Sequence, residues 1–70
     1  MERINVVSSN IVSVGYDASS SILEVEFNQG RVYHYFDVPQ SHYDNLMSAQ
    51  SHGEYLSKYI KGTYRYNLIS

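Results

Sequence analysis

Seventy residues, 43% of them hydrophobic, fill one domain around one core and leave no room for a second. The absence of cysteine rules out a disulfide framework and a thiolate metal site, and points to a reducing, cytoplasmic setting. A net charge of −2 gives the molecule no overall attraction for phosphate, and no apolar run approaches the roughly 20 residues that span a bilayer, so no membrane partner is expected.

The opening Met1-Glu2-Arg3-Ile4-Asn5 lacks the apolar stretch of an export signal. Ile4, Val6 and Val7 suit a short edge strand, broken by Ser8-Ser9-Asn10. In Ile11–Asp17 the alternation places Val12, Val14 and Tyr16 on one face and Ile11, Ser13, Gly15 and Asp17 on the other. Asp17-Ala18-Ser19-Ser20-Ser21 is turn chemistry, because Asp and Ser side chains satisfy turn backbone locally.

Residues 21–28 form the clearest strand, with Leu23, Val25 and Phe27 facing one way and Ile22, Glu24 and Glu26 the other. Next comes the run Arg31-Val32-Tyr33-His34-Tyr35-Phe36-Asp37-Val38-Pro39, rich in aromatic and β-branched residues, the inner strand of the sheet. The loop between the two strands sets their register. A two-residue loop would bury His34, whereas a three-residue loop over Asn28-Gln29-Gly30 sets Leu23 against Tyr35, Val25 against Tyr33, and Glu24 against His34 on the outer face. We choose the latter, as a type I turn followed by Gly30 in the left-handed region.

After Pro39 the period lengthens to about 3.6. Tyr43, Leu46 and Met47 share one face of a helix from Pro39 to about Ala49. Ser51 and Glu54 have the spacing of a capping box for a second helix, striped by Tyr55, Leu56, Tyr59 and Ile60 and ended by Gly62. Residues 63–69 alternate weakly and suit a short extended segment. Strands first and helices after predict an α+β domain: an antiparallel meander of three to four strands with both helices on one sheet face. The expected core is Val12, Val14, Tyr16, Leu23, Val25, Phe27, Tyr33, Tyr35, Tyr43, Leu46, Leu56 and Ile60.

These segments resemble the KTSC domain, a small module named from the C-terminus of some lysyl-tRNA synthetases and also known as a stand-alone bacterial protein. The resemblance runs from Ser8-Ser9-Asn10-Ile11 through Gly15-Tyr16-Asp17, Leu23-Glu24-Val25-Glu26-Phe27, Gly30, Tyr33-His34-Tyr35, Val38-Pro39 and Tyr43-Asp44-Asn45-Leu46. It continues through Ser51-His52-Gly53-Glu54-Tyr55-Leu56 to Lys58-Tyr59-Ile60-Lys61-Gly62-Thr63-Tyr64, departing at Leu56-Ser57, where the family tends to show Phe-Asn. It implies one domain over residues 1–70 and, through the synthetase attachment, an association with RNA.

Chemistry is sparse. No nucleophile elbow is present, no His pair has metal-ligand spacing, and the glycines are isolated, so neither an enzyme, a metal nor a cofactor is expected. All seven carboxylates lie within residues 1–57, whereas Lys58, Lys61 and Arg65 stand in a stretch without acids, interleaved with aromatic rings. Tyr33 and Tyr35 have the spacing of a stacking pair on a nucleic-acid-binding sheet, but this register turns them toward the helices. RNA or tRNA is therefore expected at the basic end, on Lys58, Lys61, Arg65, Tyr64 and Tyr66. The alternative partner is another protein, held by Ile22, Val32 and Phe36 on the outer sheet face.

Overall fold

Leu23 and Val25 are fully buried while Glu24 and Glu26 lie on the opposite face, as successive side chains of a strand must. Around them the computed structural model, which describes residues 1–70, builds an antiparallel sheet of five strands in chain order. The strands are β1 (Arg3–Asn5), β2 (Ile11–Asp17), β3 (Ile22–Phe27), β4 (Val32–Tyr35) and β5 (Tyr66–Leu68). Helix α1 (Gln40–Ser48) and helix α2 (His52–Tyr55), the latter prolonged by a π-helical turn over Leu56–Ile60, lie between β4 and β5 in the chain. The α+β class stands, with one or two strands more than expected.

The β3–β4 register is the one the three-residue loop dictates: Leu23 opposes Tyr35, Glu24 opposes His34 and Val25 opposes Tyr33. The loop itself differs from a simple type I turn, because Gln29 (φ 73°) joins Gly30 (φ 78°) in the left-handed region. The Ser51 hydroxyl accepts the Glu54 N–H at 3.2 Å and starts α2, and Gly62 at φ 80° ends the helical segment. The last turn is wider than α-helical, since the Lys61 N–H donates to the Leu56 carbonyl five residues back. Leu56 and Ile60 face the core from this turn, and Tyr59 is left largely exposed.

One sheet face packs under the helices. Ile11, Val14, Leu23, Val25, Tyr35, Val38, Leu46, Leu56 and Ile60 form the buried cluster, edged by half-buried Tyr16, Phe27, Tyr33 and Tyr43. Val12 is a correction: expected in the core, it is 36% exposed. A bulge between Ile11 and Ser13 shifts the β2–β3 register and turns Ile11 inward in its place. Val38 is the other core residue absent from the expectation; its N–H donates to the Ser21 carbonyl and its carbonyl accepts the Tyr16 hydroxyl.

The opposite face is polar. Arg3 lies across β2 to meet Glu24 at 2.6 Å and the Ser13 hydroxyl at 2.9 Å, and Ser13 donates to Glu26. The apolar patch expected there is a second correction. Val32 is only 8% exposed, because the C-terminal segment runs beside it: its N–H donates to the Ser70 carbonyl and its carbonyl accepts from Ile69. Phe36 is half-buried, with the Arg65 guanidinium 5.3 Å over its ring, and Ile22 is half-buried as well.

Candidate functional site

Helix α1 packs on β2, and beside the helices part of the same sheet face is left uncovered. The result is a groove of about 660 Å³, and its wall is aromatic: Phe27 from β3, Tyr33 and Tyr35 from β4, Tyr66 from β5.

Strand geometry brings these rings together. Tyr33 and Tyr35 leave β4 on the same face and Tyr66 opposes Tyr35 across the β4–β5 pair. The three tyrosines form a triangle with ring centroids 5.7 to 6.3 Å apart. Phe27 meets Tyr33 edge-on at 5.5 Å. Tyr33 is thus a third correction: it edges the core, but it also lines an open groove that the helices leave uncovered.

Two cations flank the aromatic wall. Lys61, carried by the end of the π-helical turn, places its Nζ 5.2 Å from the Phe27 ring centroid, and Arg31 opens β4 at the hairpin. Neither has a carboxylate partner within ion-pair distance, so both remain available to an anion. Glu24 and Glu26 are on the far side of the sheet, already held by Arg3. At the floor, Tyr35 keeps its proton: burial, helped by the neighbouring Tyr33 and Tyr66 phenols, pushes its pKa up to about 12.

The five residues singled out for nucleic acid do not share one surface, since the Arg65 guanidinium lies over Phe36 on the opposite sheet face. Lys61 and Tyr66 belong to the groove, and an adjoining depression that shares Gly62 and Tyr66 with it carries Tyr64 and Arg65. Arg65 pairs with Asp37 at 3.2 Å, both side chains being largely exposed. Lys58 lines a polar hollow with Glu54, Ser51 and Asn10, the last of which also borders the groove, and its Nζ is 5.3 Å from the Tyr59 ring centroid. Arg31, Phe27, Tyr33 and Tyr35 are among the groove residues that the sequence did not assign; the Tyr33-x-Tyr35 spacing was the available signal.

The histidines are engaged structurally. His42 Nδ1 is 2.8 Å from the Tyr55 hydroxyl and His52 Nδ1 is 2.8 Å from the Leu46 carbonyl. No three His or carboxylate side chains converge as a metal site would require.

Comparison with known proteins adds relatives of two kinds. The KTSC domain family profile matches residues 7–64. A crystal structure of a KTSC domain protein from Yersinia pestis superposes with a TM-score of 0.93 at 40% identity, covering 99% of this chain and 97% of that one. A protein of Stutzerimonas stutzeri is 40% identical over 67 residues, 94% of each chain. The lysine–tRNA ligase of Trichormus variabilis is 40% identical over 55 residues, which are 79% of this chain and 10% of the ligase. This chain therefore spans about a tenth of the ligases it matches.

Proposed function

For a chain that belongs to the KTSC domain family, we propose the role of a small RNA-binding module that performs no chemistry and takes an unpaired strand along the groove between Arg31 and Lys61. The observation that carries this reading is the open tyrosine wall flanked by two unpaired cations on the face away from Glu24 and Glu26. Bases of any identity stack on aromatic rings, at about 1–3 kcal/mol each, while cations track the backbone. The adjoining depression with Tyr64 extends the groove past Tyr66 at the β5 edge. The ligase relatives make tRNA one natural source of such a strand, through its unpaired loops and ends.

The test is fluorescence anisotropy with an unstructured RNA oligomer at rising salt. Contacts from Arg31 and Lys61 to two phosphates give an expected slope of log K against log salt of about −1.4. A duplex of the same length should bind more weakly, because its bases are stacked away from the tyrosines. No binding at low salt and high micromolar protein would overturn the reading.

A further inference from the structure

Tyr35 is 3% exposed, and its inward position on β4 opposite Leu23 would suit phenylalanine equally well. A phenol that is buried ordinarily finds a partner. Those of Tyr16 and Tyr55 do, on the Val38 carbonyl and on His42. The Tyr35 hydroxyl has no partner in the protein, and yet it is not among atoms sealed from solvent. Tyr35 lines the groove, with its ring centroid 6.3 Å from that of Tyr33 and 6.0 Å from that of Tyr66. A hydroxyl there, without a partner in the protein, is free to meet a ligand in the groove.

We infer that the Tyr35 hydroxyl is a base-recognition group: it hydrogen-bonds the edge of one unpaired base that has stacked on Tyr33 or Tyr66, while Arg31 and Lys61 hold the adjoining phosphates. The inference rests on the RNA reading of the groove and makes it more specific, since phosphate contacts do not touch the base and a floor hydroxyl contacts its edge. A hydroxyl that keeps its proton throughout the neutral range can both donate to and accept from a base edge.

The experiment compares the parent with Tyr35→Phe on two strands of equal length, one RNA and one abasic. On RNA, Tyr35→Phe should bind about 10-fold more weakly, the size of one hydrogen bond, with the salt slope unchanged because no phosphate contact is lost. On the abasic strand the two proteins should bind alike. Thermal melting of Tyr35→Phe should match the parent, which separates loss of a contact from loss of fold. Equal RNA affinity of the two proteins overturns the Tyr35 assignment and leaves the RNA reading standing. An equal loss on both strands places the hydroxyl on the sugar–phosphate chain and overturns base recognition. A parent that binds neither strand overturns both readings together.

Discussion

Glu24 and His34 face each other across β3 and β4, with the imidazole Nε2 2.7 Å from one carboxylate oxygen while Arg3 of β1 holds the other at 2.6 Å. Desolvation is the largest influence on the Glu24 carboxyl and raises its pKa, but the hydrogen bonds from His34 and Arg3, with their charges, together outweigh it. The carboxyl ends below its ordinary value of 4.5. A depressed carboxylate stabilises the fold above the unfolded pKa, and that contribution fades as pH falls through the folded one. Denaturation midpoints should thus hold steady above pH 4.5 and decline below it. Glu24→Gln should be less stable at neutral pH and show a shallower acid decline; an identical acid profile would contradict the three-residue network.

Core substitutions should separate the floor of the molecule from the rim of the groove. Leu23→Ala and Leu46→Ala remove fully buried side chains and should cost about 2–5 kcal/mol, enough to unfold much of so small a domain. Phe27 is only half-buried, so Phe27→Ala should cost roughly half of the 3–5 kcal/mol of a core phenylalanine. Urea denaturation of the three variants orders them directly.

Gly62 and Gly15 should fail for different reasons when replaced by alanine. A Cβ at Gly62 meets nothing within 4 Å, so Gly62→Ala costs only the left-handed backbone, about 1–2 kcal/mol. A Cβ at Gly15 would stand 2.7 Å from the Glu2 carbonyl oxygen, so Gly15→Ala must push β1 away from β2. Because β1 is exposed along its length, global stability should drop little while the amides that pair β1 with β2 lose hydrogen-exchange protection.

Two lysines three residues apart should behave differently toward RNA. Lys61→Ser should lower the magnitude of the salt slope by about 0.7, the share of one phosphate on a single strand. Lys58→Ser should change it less, because Lys58 lines no part of the groove and its own hollow also holds Glu54. Equal effects would mean that the strand follows the helix rather than the groove.

The register of β3 and β4 was legible because one loop length left His34 outside the core, and the start of α2 because Ser51 and Glu54 carry their own hydrogen-bonding pattern. Val12 was misplaced because a bulge breaks the period-two rule without a mark in composition. β5 was visible only as weak alternation, since all three of its residues are exposed and no buried face imposes a pattern. The groove was hidden for a related reason. Alternation tells which face a tyrosine takes, but how far two helices reach across that face is a matter of length and placement.

β5 stands at a sheet edge with three exposed residues, tied to the core by the contact of Tyr66 with Tyr35, and where that edge frays Tyr66 leaves the tyrosine triangle. Only the docked fraction of molecules would then be competent to bind, and the observed affinity is the intrinsic one scaled by that fraction. A ligand spanning Tyr33 and Tyr66 would in turn act as a clasp, drawing the frayed population back into register, so that occupancy of the groove and order at the C-terminal edge rise together.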